Sequence, residues 1–492
     1  YDNVIAFPDG TDIFVAKLSE DGSQLKGSTF LGGSKNDGLN FKLSYTQQGY
    51  IQMHGNDSLY YNYGDGARGE VIADKKGFIY LGANTFSSDI MPGINNGFQY
   101  SSAGGMDGLV EKFSPDLSSM LWMSYIGGSN DDAIYSIYPD KNEDVIVCGG
   151  TSSQDFPTTD SSYNPNYLGG STDAFVSKIK NNGSQLMSST FFGSNQYDQA
   201  HFVRTDASDD IYIYGQTEAQ GSALIQNVGY AVPNSGQFIA KLDTNLSVLE
   251  WSTVVGRGAG EPVLSPSAFA VDVCDRIYIS GWGRNWANHY LNAAGDTYSW
   301  SDNYGTKGLP VTVNALQTST DGQDFYIMVL SEDADSLEYA TFFGEQHYSG
   351  CGYSGHDHVD GGTSRFDNKG NVIQSVCASC GSCQQFPTMP NPGVWSNSNN
   401  STNCNNAVFK INIIDNLAAS AFDPIPEICA PTNVSFTNNS QGSSYLWDFG
   451  DGSPTSTAFE PNHTYQDSGT YEVMLIAYDS AACNYSDTSY QI

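Results

Sequence analysis

The chain has 492 residues, with 20 Lys and Arg against 54 Asp and Glu, a formal net charge of −34 at pH 7. Aromatics make up 13% of it and charged residues only 15%, a balance foreign to disordered chains, which are poor in aromatics. The acidity argues against nucleic acid as a partner, because phosphate is repelled, and no run of about 18 apolar residues is present to form a transmembrane segment.

The chain opens at Tyr1 with no apolar signal stretch, which reads as a processed mature protein or an excerpt of a longer one. Nine Cys, few Lys and an abundance of Tyr, Asn, Ser and Thr read as an exported protein. DNVIAF at Asp2–Phe7 offers a first strand. A phrase then recurs: DIFVAKL at Asp12–Leu18, DGLVEKF at Asp107–Phe113, DAFVSKI at Asp173–Ile179 and GQFIAKL at Gly236–Leu242, with weaker copies at Asp324–Leu330 and Asn405–Ile411. The shortest steps between copies give a unit of roughly 63–66 residues. After it comes a second phrase, at Ser28–Asp37, Met123–Asp132, Ser189–Asp198 and Ala340–Glu345, with a drifted copy at Trp251–Gly258. A third phrase precedes the next copy of the first, at Gly77–Thr85, Asp144–Ser152, Asp210–Glu218, Arg276–Gly283 and Asn371–Ser379.

Each phrase alternates apolar and polar residues and is bounded by Gly, Asp or Asn, which predicts strands. No sustained 3.6-residue period is present, so helix should be scarce. About four strands per unit, repeated, predict an all-β fold with a β-propeller, since radial stacking covers both faces of every sheet. Six copies of the first phrase point to six blades; a drifted blade would make seven. The glycines after STFL predict a chain turn with no room for a Cβ.

After Asn416 the composition changes: a Pro-rich hinge at Ala421–Pro431 leads into short alternating strands and evenly spaced turns, which read as a small β-sandwich. The expected division is therefore 1–416 and 417–492.

The phrases DAFVSKI, STFFGS and IYIYGQT, with DFPTT at Asp155–Thr159, resemble the SBBP-type propeller repeat of secreted bacterial proteins. WDFGDG from Trp447, followed by HTY and GTYEV, resembles a PKD domain, an immunoglobulin-like spacer in which Trp447 is core and the DGSP segment a turn. The combination, with Ala268–Gly283 and His358–Cys383, resembles large secreted Bacteroidetes proteins of the gliding-motility type, exported by type IX secretion. That resemblance implies a non-catalytic surface protein: the propeller an adhesive platform for a surface protein or glycan ligand, the PKD domain a stalk, and further domains in a longer chain. A secreted propeller enzyme or carbohydrate-binding module acting on polysaccharide is the alternative, with the ring's central mouth as its site.

Candidate sites follow. Cys429 and Cys483 stand near the first and last strands of the sandwich and are the expected disulfide across it. Cys351, Cys377, Cys380, Cys383 and Cys404 crowd one region; disulfides pinning a loop are their expected use in an exported chain, although C-x-x-C-x-x-C spacing also suits metal. Cys148 and Cys274 fall in predicted strands and read as small core residues. On an extended strand His356, His358 and Asp360 share a face, and two imidazoles with a carboxylate suit Zn²⁺. The acidic turns Asp131/Asp132, Asp206/Asp209/Asp210 and Asp333/Asp335 are candidates for Ca²⁺, which would also relieve self-repulsion. Trp282 and Trp286 read as core or blade packing, or alternatively as an aromatic platform for sugar. By resemblance to Bacteroidetes O-glycosylation at Asp-Ser/Thr, Ser58, Ser336 and Ser480 are modification candidates. No nucleophile–base pair is evident, so no catalytic residue is assigned.

Overall fold

The computed structural model describes residues 10–19, 21–45, 51–55, 59, 62–90, 96–283, 305–346, 357–359, 365–366, 370–379, 386–389, 394–402, 404–413, 417–425, 429 and 431–492. It is built of strands; the helical turns among the described residues are 3-10 turns at Tyr63–Ala67 and Glu332–Ala334. The chain divides into two units. One comprises Tyr1–Val271, Asp275–Phe366 and Ile373–Lys410, the other Asp272–Cys274, Asp367–Val372 and Ile411–Ile492.

The larger unit contains four consecutive four-stranded antiparallel sheets, each with its strands in chain order. The first is Glu70–Ala73, Ile79–Thr85, Asp107–Phe113 and Met120–Ile126; the second is Asp132–Pro139, Val145–Thr151, Asp173–Ile179 and Leu186–Phe192. The third is Asp198–Thr205, Ile211–Thr217, Gln237–Leu242 and Leu249–Val255, and the fourth Leu264–Val271, Ile277–Gly283, Phe325–Leu330 and Leu337–Phe343. A two-stranded sheet, Ile13–Leu18 with Leu25–Leu31, precedes them, and a three-stranded sheet of Arg365–Phe366, Asn371–Ala378 and Asn405–Asn412 follows. The three recurring phrases are the second, third and fourth strands of the sheets.

Sheet stacking follows from the alternation within the third strand. Phe175 and Ile179 enter one core cluster with Phe156 and Phe191. Val176, on the opposite face, enters another with Phe238 and Ala240 of the next sheet. Phe238 and Ala240 thus repeat the role of Phe175 and Ser177, while Ile239 faces onward to the cluster of Tyr326 and Met328. Each core lies between two sheets, so strands such as Val145–Thr151 and Ile211–Thr217 are buried along their whole length.

The phrase ends in Lys because that residue reaches a turn carboxylate. Lys112 pairs with Glu143 at 3.1 Å, Lys178 with Asp140 at 2.8 Å and Lys241 with Asp206 at 3.2 Å. Their stems run along aromatic faces: Lys112 lies 4.9 Å from the Tyr80 ring centre and Lys241 5.2 Å from that of Tyr212. The glycines after the fourth strand also act as expected. A Cβ on Gly127 would collide with the Asp107 carboxylate, and one on Gly128 would stand 2.7 Å from that of Asp155.

In the smaller unit, Thr432–Ser435 pairs with Asn462–Tyr465, and Ser444–Asp448, Val473–Tyr478 and Ser486–Gln491 form a three-stranded sheet. Trp447 is fully buried among Phe422, Phe436, Phe449 and Leu475, and its indole N–H donates to Ala458 O at 3.1 Å. Gly450, just before the DGSP turn, and Gly452 within it take φ of 75° and 77°, a left-handed backbone that favours glycine. Cys483 is disulfide-bonded to Cys274, Cα atoms 5.7 Å apart, and Cys429 is an exposed free thiol. The expected Cys429–Cys483 bridge is therefore corrected, as is the reading of Cys274 as a core residue: Cys274 lies in a strand-connecting turn, and it is this residue, not Cys429, that approaches Cys483 closely enough to bond.

Candidate functional site on the propeller axis

The first strand of each sheet matches none of the recurring phrases, and this is the strand nearest the axis. Asp132–Pro139 packs against Asp198–Thr205, that strand against Leu264–Val271, and that in turn against Arg365–Phe366. In three sheets the first strand carries one extra residue opposite its partner. The register passes from Ile134 to Ser136, from Ala200 to Phe202 and from Pro266 to Ala268, leaving Tyr135, His201 and Ser267 as bulges. A bulge bends the strand and re-aims the side chain. Here it stacks Tyr135 on His201, ring centres 5.2 Å apart and 9° from parallel.

Residues 62–70 thread this centre, with Leu59 beside them. Leu59 O accepts from the Tyr135 hydroxyl and from Asn40 Nδ2 at 3.2 Å. Asn62 exchanges amide hydrogen bonds with Gln216, at 2.9 and 3.0 Å, and Gln216 donates onward to Leu264 O at 2.6 Å. Arg68 donates to Asp65 at 3.1 Å and to Pro266 O at 2.9 Å, and its guanidinium lies 5.7 Å from the Phe202 ring centre. Asp65 and His201 are fully buried, 3.5 Å apart. Burial pushes the Asp65 carboxyl up, but His201 and Arg68 outweigh it and hold it below the ordinary range. Burial lowers His201 and outweighs the pull of Asp65.

A second cluster lies alongside. Glu70, on the first sheet, pairs with Arg204 of the third sheet at 3.0 Å and with Arg365 of the three-stranded sheet at 3.2 Å, and accepts from Ser136 of the second. Burial raises the Glu70 carboxyl, yet Arg204 and Arg365 more than cancel this and keep it below its usual value. That one carboxylate meets residues of the second, third and last sheets shows that the first strands surround a common axis, the defining feature of a propeller. Chemically, the hub is a set of charges committed to one another. Sequence reasoning passed over it; the available signal was Arg204 inside an aromatic strand and Arg68 beside glycines, in a chain with only 20 Lys and Arg.

The sequence-derived candidates fall elsewhere. Trp282 is 3% exposed within its strand, its ring 5.9 Å from that of His358. The sugar-platform reading is corrected for it, since stacking on a sugar needs an open ring face; Trp286 lies outside the described residues. His358 is buried, exchanging backbone hydrogen bonds with Cys377 at 3.0 and 2.9 Å, and His356 and Asp360 lie outside the described residues. Among the described residues no three His, Cys, Asp or Glu side chains are grouped to hold a metal ion. The acidic turns are engaged by protein donors: Asp206 by the Ser208 and Asp210 amides and Lys241, Asp333 by the Trp251 indole at 3.0 Å, Asp132 by Gly128 N–H at 2.6 Å and Ser153 at 2.9 Å. Cys404 is disulfide-bonded and Cys377 is a thiol; Cys351, Cys380 and Cys383 lie outside the described residues. Cys148 is a buried thiol whose pKa burial drives well up. Ser336 and Ser480 sit exposed in turns, and Ser58 lies outside the described residues.

Residues 421–492 match the PKD domain family. Among solved structures, the PKD1 domain of the Vibrio cholerae metalloprotease PrtV is 34% identical over 15% of this chain and 91% of that one, TM-score 0.13. A Dyadobacter fermentans protein of unknown function is 13% identical, covering 63% of this chain and 71% of its own, TM-score 0.30. PorZ, a surface component of the type IX secretion system of Porphyromonas gingivalis, is 11% identical, covering 98% and 74%, TM-score 0.18. No curated protein matches the chain. No helix among the described residues is long and apolar enough to cross a membrane. Beyond the PKD domain, then, function rests on the residues themselves.

Proposed function

We propose that the protein is a non-catalytic structural or adhesive module of the cell surface or extracellular space. Its sheets form a six-bladed, SBBP-type platform over residues 1–416, and its PKD domain serves as a spacer within a longer, type IX-exported chain. The observation that carries this reading is the contrast between the two edges of the sheets. Connections between first and second strands are short turns, such as 140–144 and 206–210, whereas those between second and third strands are long, 86–106, 152–172 and 218–236, and beyond the Ser-x-Asp shared by the first two (Ser87/Asp89, Ser153/Asp155) most of their residues differ. Thr85 pairs with Asp107, Thr151 with Asp173 and Gln216 with Gln237, so all three leave from the same edge. Varied loops on a constant scaffold are how a repeat protein makes a contact surface. The axial charges, meanwhile, are occupied with one another.

A screen of the purified chain against glycans and surface proteins, with polysaccharide hydrolysis assayed in parallel, tests this. Retention of a ligand without release of reducing ends is expected. Release of reducing ends in proportion to the protein would favour a secreted propeller enzyme instead.

A further inference from the structure

On the two-stranded sheet, four apolar side chains face water although their counterparts in the next sheets are core. Phe14 stands opposite Phe30 and Leu18 opposite Leu25. Phe14 is 69% and Phe30 81% exposed, and both leucines are exposed as well. In the second four-stranded sheet the same places, in the same register, are Phe175 opposite Phe191 and Ile179 opposite Leu186. Those four lie in one core cluster with Tyr80, Val110 and Trp122 of the preceding sheet. The other face of the two-stranded sheet is ordinary: Val15 and Leu31 are buried against Ile79, Leu81 and Leu109 of the sheet that follows. Singly exposed apolar residues need no explanation, but four in register on one face form a patch that marks an interaction.

The hydrogen-bond ladder of this sheet is one-sided too. Asp173–Ile179 is paired on both sides, with Val145–Thr151 and with Leu186–Phe192; among the described residues Ile13–Leu18 pairs with Leu25–Leu31 alone. Such an edge is a template for another extended chain. The second strands IYLGANT, VIVCGGT and IYIYGQT show what pattern fits there. Apolar residues come first, with Val145 opposite Ile179 and Ile211 opposite Leu242. A glycine then lies opposite the aromatic ring, Gly149 at Phe175 and Gly215 at Phe238. A Thr closes the strand opposite an Asp, Thr85 at Asp107 and Thr151 at Asp173. The last sheet carries the matching face: its Ile373 and Val408 are exposed in the places where Tyr80 and Val110, or Ile146 and Val176, are buried.

We propose that Ile13–Leu18 is a docking edge for one extended polypeptide strand, supplied by the longer chain to which these residues belong. The strand runs antiparallel to Ile13–Leu18, its first apolar residue opposite Leu18, its glycine opposite Phe14 and its Thr opposite Asp12. The source rests on the longer-chain reading proposed above; the edge and its chemistry do not. The strand takes up the backbone groups of the edge and sets its apolar side chains in line with Leu18 and Ala16. It thereby finishes the junction of which Ile373 and Val408 are the other half, as Tyr80 and Val110 are for Phe175. Polypeptide is the occupant because a ladder edge and an alternating apolar face are both recognised by a strand; a glycan matches neither.

Titrating the 492-residue chain with the synthetic peptide Asp210–Glu218, which spans one of its own second strands, tests the edge. Saturation at a single peptide per chain is expected, with hydrogen-exchange protection gained over Ile13–Leu18 and none gained over Asp173–Ile179. A scrambled peptide of the same composition should bind about tenfold more weakly or worse. Leu18→Asp, at an exposed position, should leave the thermal midpoint unchanged and weaken the peptide by a similar factor. Equal binding of the scramble, or protection that arises instead along the PKD edge strand Ser486–Gln491, overturns the proposal. Self-association that Leu18→Asp abolishes in sedimentation assigns the face to a second copy and overturns it too. The source is read separately, from the intact mass of the natural protein and from its own titration. In a longer natural protein Ile13–Leu18 should be protected without peptide, and the peptide refused. Undiminished peptide binding there, or a natural protein no longer than this chain, overturns the source while the titration of the 492-residue chain still judges the edge.

Discussion

At the centre of the larger unit stand Asp65, Arg68, Glu70, Arg204 and Arg365; at the centre of the smaller stands Trp447. The first centre is ionic and directional, drawing its members from the threaded segment and from different sheets. The second is apolar, an aromatic nest around one indole. The difference follows from geometry. A small sandwich has one interior, which apolar side chains fill. Stacked sheets place their apolar cores between neighbours, so the axis is left to the first strands, and groups placed there must satisfy each other.

The comparison can be broken in several ways. Trp447→Ala should have the largest effect, about 3–5 kcal/mol, confined to the unfolding transition of the PKD domain in calorimetry; a matching loss in the sheet transition would mean that the two centres do not act independently. Glu70→Gln leaves two guanidiniums without their carboxylate and should cost the sheet unit about 3 kcal/mol, read as a lower urea midpoint. A cost near zero would show that the ionic centre is dispensable. Gly127→Ala sharpens the contrast on the side of sheet packing: with two carboxylates in the space of a methyl group, about 1–3 kcal/mol is expected, and none is expected at exposed Gly22, where a Cβ meets nothing within 4 Å but φ of 70° limits the control to Asn. Smallest in energy is a covalent check: non-reducing peptide mapping should link Cys274 to Cys483 and leave Cys429 alkylatable.

The outer three strands of each sheet were legible because period-2 alternation, turn residues and repetition all agree there. Asp173–Ile179 and Asp107–Phe113 are strands over the very residues their phrases span. The first strands were not, for a physical reason: the extra residues Tyr135, His201 and Ser267 break the alternation that a reader relies on, and Asp198–Thr205 carries Gln, His and Arg where a core strand is expected to be apolar. Trp282, readable from the sequence as blade packing or as a sugar platform, is buried within its strand Ile277–Gly283. The Cys274–Cys483 bond was unreadable too, because its halves are 209 residues apart and nothing local marks them as partners.

The bulged first strands have an evolutionary corollary. An unpaired residue can be exchanged without disturbing the hydrogen-bond ladder on either side of it. Duplicated units can therefore keep interchangeable outer strands while each contributes a different side chain to the middle: a phenol from one copy, an imidazole from the next, a hydroxyl from a third.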